Sequence, residues 1–169
     1  MALNMYTISV PAYLRGFAVL ASLIEKAEAY AEEKKINPTV LVNARLAPDM
    51  LSLAGQIQRA SDTAKATIGR LTTLEIPKFA DEEASLADLR ERIAKTVAFL
   101  ESVDAGALDG AETKDVVLSA GQLKVTLSGE EYVQKFALPN FYFHVTTAYD
   151  ILRHNGLQVG KLNYIGALS

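Results

Sequence analysis

Apolar residues fall into four long stripes with helical spacing, and one stretch between the third and fourth changes period. From about Ser9 to Lys35, Leu14, Phe17, Ala21, Ile24, Ala27 and Ala31 recur every three or four residues. That spacing marks an amphipathic helix with a narrow, bundle-type seam. Pro11 fits in its first turn, where a missing N–H costs nothing, and Lys34 and Lys35 suit its C-terminal dipole. Ile36-Asn37-Pro38 breaks the pattern, and Pro38 to Val42 is enough for one short helical turn. A second helix is predicted from Pro48-Asp49 to about Leu71, striped by Leu53, Ala54, Ile57, Ala60, Ala64, Ile68 and Leu71. Its small central residues let a neighbouring helix approach closely. A third follows Ser85-Leu86-Ala87-Asp88, nearly a capping box with Asp in place of Glu, and carries Leu86, Leu89, Ile93, Val97 and Leu100. The acids 81–83 before it and the bases Arg90, Arg92 and Lys95 within it suit its macrodipole.

Between Asp104 and Ser128 the helical period is lost. Asp109-Gly110 reads as a turn, and Val116-Val117-Leu118 and Leu123 to Leu127 bracket Ser119-Ala120-Gly121-Gln122, which predicts a short β-hairpin. Ser128 and Glu131 form a full capping box that restarts a helix, Pro139 interrupts it, and a last helix runs through Phe141, Val145, Ala148 and Leu152 to Gly156 at C′. Leu157 to Ser169 has no strong period and is expected to lie along the rest without forming an element. The pattern as a whole predicts an all-α protein: one four-helix-bundle domain over residues 1–169, with a small hairpin before the last helix and some connections that cross over the bundle.

Composition narrows the function classes. At 169 residues the chain is one domain, and its 50% hydrophobic and 22% charged residues are ordinary for a globular protein. A net charge of −3 without a basic block argues against a nucleic-acid partner. The absence of cysteine excludes a thiol nucleophile, a Cys-type zinc site and disulfides. The N-terminus has no basic segment ahead of an apolar one, and the longest apolar run, Gly16 to Ile24, is broken by Ser22 and is short for a bilayer. A cytoplasmic protein without a membrane partner is expected.

Candidate chemistry centres on the last helix, where Asn140 and His144 stand four residues apart on an otherwise apolar face. Such a pair is where a bundle keeps metal ligands. The order of helices, the hairpin and the ending Ile151-Leu152-Arg153-His154-Asn155-Gly156 resemble the DinB-like (YfiT-like) superfamily. Within it, Ala44-Arg45-Leu46-Ala47-Pro48-Asp49-Met50 and Ala137-Leu138-Pro139-Asn140-Phe141-Tyr142-Phe143-His144 resemble the bacterial branch catalogued as domain-of-unknown-function family 1993. The likeness implies the up-down DinB bundle, commonly paired as a homodimer, and a site for a divalent metal held by three histidines. One of these lies on the second helix and two form a His-x-x-x-His pair on the last. His144 falls at the second position of that pair, Asn140 at the first, and Gln56 at the position on the second helix, with Gln58 the choice if the register slips by two. One histidine of three is present.

Amide side chains coordinate catalytic zinc and related ions weakly. The first reading is therefore a bundle with an eroded metal site and no cofactor, acting as a small-molecule-binding or interaction module. Its pocket would be drawn from Gln56, Asn140, His144 and Tyr149. The alternative is a hydrolase or thiol transferase in which His144, Asn140 and Gln56 hold zinc or nickel. Further residues weighed are His154, placed to cap the last carbonyls; Glu25, Glu28 and Glu32, on one charged edge of the first helix; Asp62, about 120° round the second helix from Gln56; and Asp150, beside Arg153. Tyr142, Phe143, Tyr149, Tyr13 and Phe17 read as core and interface packing before they read as a pocket. A structural His144, buried and neutral, needs a hydrogen-bond partner, and Gln56 and Asn140 are the candidates.

Overall fold

The computed structural model describes residues 4–120 and 123–166 of the chain. Four long helices carry the fold: α1 (Met5–Lys34), α3 (Leu53–Leu71), α4 (Leu86–Glu101) and α6 (Leu138–His154), with a short α2 (Pro38–Asn43) after the first. Each long helix packs on two others. α1 lies between α4 and α6, and α3 lies between the same two, so α1 and α3 are diagonal neighbours. The connections from α1 to α3 and from α4 to α6 therefore cross the end of the bundle, as the loop lengths predict. The second crossing carries two short 3₁₀ turns and the hairpin of β1 (Asp115–Ala120) and β2 (Leu123–Ser128), paired from Asp115 opposite Ser128 to Ala120 opposite Leu123. Of the predicted turn, Ser119 and Ala120 belong to β1, while Gly121 and Gln122 lie outside the described residues. Val116 and Leu118 face inward and Val117 faces out, the alternation expected of a strand with one covered face.

Several boundaries differ from the sequence expectation. α1 starts at Met5, because Asn4 and Thr7 close a reciprocal capping box, so Pro11 is inside the helix. It sits on the exposed side, where water can serve the carbonyl that its missing N–H abandons. The buried stripe runs through Val10, Tyr13, Phe17, Leu20, Ile24, Ala27 and Ala31, and Leu14 and Ala21 are only half-buried. α3 starts at Leu53 behind an Ser52 cap, not at Pro48. Pro48 lies in a turn closed by Met50 N–H on the Ala47 carbonyl, and Leu53 N–H reaches back to Ala44. In length and hydropathy α1 is sufficient to cross a membrane, unlike the short run Gly16 to Ile24 taken alone, but half of its most apolar 18-residue stretch is buried within the fold.

Pro139 does not interrupt the final helix. α5 (Gly129–Tyr132) passes through a π turn, Val133–Ala137, straight into α6. The wide turn hydrogen-bonds Leu138 N–H to the Val133 carbonyl and clears the space that the proline ring needs one turn behind it. At the other end Leu157 N–H bonds the Leu152 carbonyl, with Gly156 at a φ of 98° beside it. The segment after that glycine does form an element. A five-residue helix α7 (Lys161–Ile165) packs on α1 and reaches α6 through Tyr164, whose hydroxyl meets Thr146 at 2.9 Å and whose ring meets Tyr149 edge-on.

Candidate functional site

The α3–α6 seam brings polar groups together in two rungs. In the first, Gln56, 1% exposed, holds its Oε1 2.8 Å from His144 Nδ1. Its Nε2 donates to the Leu51 carbonyl at 3.0 Å. An amide nitrogen committed to a carbonyl leaves the amide oxygen as an acceptor, so His144 carries its proton on Nδ1 and keeps a lone pair on Nε2. Burial, reinforced by the Arg59 guanidinium, pushes the imidazole down to about 4, so it is neutral at pH 7. The Phe143 ring lies edge-on to it, at 5.4 Å between centroids. In the second rung Asn140 Nδ2 donates to Thr63 Oγ1 at 2.7 Å, and that hydroxyl in turn donates to the Arg59 carbonyl.

The sequence positions are thus distributed unevenly. Gln56 and His144 are joined; Asn140 shares the seam but bonds Thr63, seven residues along α3 from Gln56. Tyr149 is not with them. It lies about 140° round the helix from His144 by ideal periodicity and packs its ring on Tyr164. Gln58 points elsewhere, donating to Glu83 at 2.7 Å. His154 is exposed at the C-terminus of α6. Glu28 pairs with Arg90 of α4 at 2.9 Å, and Glu25 and Glu32 are exposed. Tyr13 and Phe17 are core residues whose rings meet Phe141 edge-on. Close packing there requires Gly16, since a Cβ on it would stand 2.4 Å from the Phe141 ring.

A second polar centre escaped the sequence reading. Arg92, read there only as a base that suits the α4 dipole, has a side chain 1% exposed. It reaches Asp62 of α3 at 3.0 Å, and Asp81 and Glu83 of the 72–85 strap between α3 and α4 at 3.0 and 2.8 Å. It also donates to the Ala80 carbonyl. Arg59 joins both aspartates, and buried Lys65 bonds Asp62 and the Pro77 carbonyl. Burial pushes Glu83 up, but hydrogen bonds from Arg92 and Gln58 outweigh it and hold the carboxyl below its usual range. Burial likewise lowers the Lys65 ammonium against the pull of Asp62. Three cations and three carboxylates thereby clamp the strap onto α3 and α4. The signal available in the sequence was position: Arg92 stands one residue before Ile93 and three after Leu89, on the buried side of α4.

The chain matches the family described as "Domain of unknown function (DUF1993)" over residues 5–165. Its fold is similar to the crystal structure of a DinB family member protein from Shewanella denitrificans, determined at 1.83 Å resolution. The two are 43% identical with a TM-score of 0.89, and the match covers 97% of this chain and 93% of that one. Among curated proteins none matches.

Proposed function

The chain belongs to the DUF1993 family and has the DinB fold, and from that premise we propose that it is a non-catalytic bundle with an eroded metal site, acting as a small-molecule-binding or interaction module. In this reading a Gln56–His144 hydrogen bond stands where the wider superfamily holds a metal. One observation carries the loss of the metal: both ends of the Gln56 amide are spoken for, Nε2 by the Leu51 carbonyl and Oε1 by His144 Nδ1. A metal on His144 Nε2 would find the Gln56 oxygen on the other side of the ring. Asn140 directs its amide nitrogen at Thr63. Among the described residues no three His, Asp or Glu side chains cluster as a ligand set. Catalytic ions of this kind want about three such ligands, so the residues present do not fit the superfamily's metal.

The test is elemental analysis of protein purified without a metal-affinity tag, exposed to zinc and nickel and then dialysed. The wild type is expected to retain far less than one equivalent. The Gln56→His/Asn140→His variant, which restores three imidazoles, is expected to retain about one equivalent. Near-equimolar metal in the wild type, lost in His144→Ala, overturns the reading in favour of a metal-dependent hydrolase or transferase.

A further inference from the structure

The strap of residues 72–85 joins α3 to α4 without a helix or strand of its own. From Thr73 to Ser85 no residue is buried. None of residues 73–84 makes a backbone–backbone hydrogen bond among the described residues. Open clefts separate the strap from α4. One, of about 700 Å³, lies between Pro77 and Phe79 on the strap and Ala98 and Phe99 on the helix. The other, of about 410 Å³, lies between Ala80 and Glu83 on the strap and Asp88 and Glu91 on the helix. Ile76 gives the strap an apolar seat on α3, against Gly69, where a Cβ would stand 2.9 Å from Ile76 Cγ2.

Side chains of α3 and α4, most of them charged, hold the strap in place. Lys65 Nζ donates to the Pro77 carbonyl at 3.2 Å and stands 4.0 Å from the Phe79 ring centroid. Arg92 donates to the Ala80 carbonyl at 3.0 Å and pairs with Asp81 and Glu83. Arg59 pairs with Asp81, and Gln58 donates to Glu83. A segment fixed by buried apolar surface opens only with the core, whereas one fixed by a few ion pairs opens by itself. Water reaches the outermost of these pairs, since the Arg59 and Asp81 side chains are 41% and 44% exposed. Dissolved salt therefore weakens it. The Lys65 and Arg92 side chains are covered, at 5% and 1% exposed. Of the carboxylates that face the three cations, Asp62 belongs to α3 and stays, while Asp81 and Glu83 leave with the strap. Lifting the strap bares Arg59, Lys65 and Arg92 beside Asp62.

We propose that the strap is a salt-operated lid, which lifts as a unit from the intact four-helix bundle and uncovers a cationic groove between α3 and α4. The lid is separate from the α3–α6 seam and operates whether or not His144 binds a metal. The experiment is limited trypsin digestion of the full chain, with cleavage after Lys78, exposed in the middle of the strap, measured against cleavage after Arg45. Arg45 lies in the α2–α3 connection and donates to the Met50 carbonyl, so the ratio of the two rates removes the protease's own response to salt. That ratio should rise roughly ten-fold between about 0.05 M and about 1 M NaCl, with an unchanged far-ultraviolet circular dichroism spectrum. Asp81→Asn/Glu83→Gln keeps the size of both side chains and removes their charge. Its ratio should already be high at about 0.05 M NaCl and change by less than about two-fold with salt. A flat ratio in the wild type overturns the proposal. An equal salt response in the variant, or cleavage after Lys78 only together with loss of the helical signal, overturns it as well.

Discussion

Gln56 decides which ring nitrogen of His144 carries the proton. Its Nε2 is held by the Leu51 carbonyl at 3.0 Å, so the Oε1 that lies 2.8 Å from Nδ1 has only an acceptor role to play. The imidazole is thereby held in one tautomer and one orientation by a side chain 88 residues away in sequence, while burial and the Arg59 guanidinium keep it neutral. A protonated ring would keep the bond to Gln56 but would carry its charge into a desolvated seam beside Arg59.

The pH dependence follows from this. The folded imidazole titrates near 4 against an ordinary 6.5, so between those values the unfolded chain binds a proton that the folded one refuses. The contribution of the neutral ring is complete above about pH 6.5 and is lost as pH falls toward 4. After allowance for solvent screening of the half-buried ring the loss is about 2 kcal/mol. In denaturant unfolding from pH 7 to pH 4 the wild type should lose about that much stability relative to His144→Leu. His144→Lys should be the least stable of the three at pH 7, because it adds an unpaired charge. An NMR pKa near 6.5, or equal stability of the Leu and Lys variants, would place the ring in water.

Arg92 should be the most sensitive charged residue of the bundle. Replacing it by Met removes the cation shared by Asp62, Asp81 and Glu83; Glu83 is the buried carboxylate of the three, and with Asp62 and Asp81 partly solvated and still paired with Arg59 the cost is about 2–3 kcal/mol. Hydrogen exchange should rise first in the strap, at residues 76–84, before the rest of the bundle opens. A loss below about 1 kcal/mol, the range of surface pairs, would show that the network is solvated.

Gly129 is required by contact, not by backbone conformation. A Cβ there would stand 1.9 Å from the Ala111 carbonyl oxygen and 3.0 Å from Leu71 Cδ2. Gly129→Ala should therefore cost about 3 kcal/mol or more, although alanine is the better helix former. Thermal unfolding checks it, with Gly160→Ala as the control, since nothing lies within 4 Å of a Cβ there. Equal losses for the two would mean that α5 and the 3₁₀ turn at Ala111 separate without strain.

Sequence periodicity alone determined the four helices, the hairpin, most of their caps and most of their buried stripes. Every apolar position expected on α3 is buried, and Ser85 and Ser128 cap as read. These are local properties: a stripe every three or four residues, or a hydroxyl three residues before a carboxylate, needs no distant partner to be recognised. Gln56 and His144 were legible together only through the resemblance, because no local rule joins residues on two helices.

Tertiary structure decided the rest. Pro139 continues a helix because a π turn precedes it, and α7 exists because Tyr164 finds Thr146 and Tyr149 on α6. Asn140 turned to Thr63 and Tyr149 to Tyr164 because neighbouring helices offered those partners. The Arg92 centre was invisible for the same reason. Its carboxylates come from α3 and the strap, and each charge read singly looks like a solvated surface residue. Burying them is favourable only when all are brought together at once, and that condition is set by how the helices cross, not by any segment of the chain.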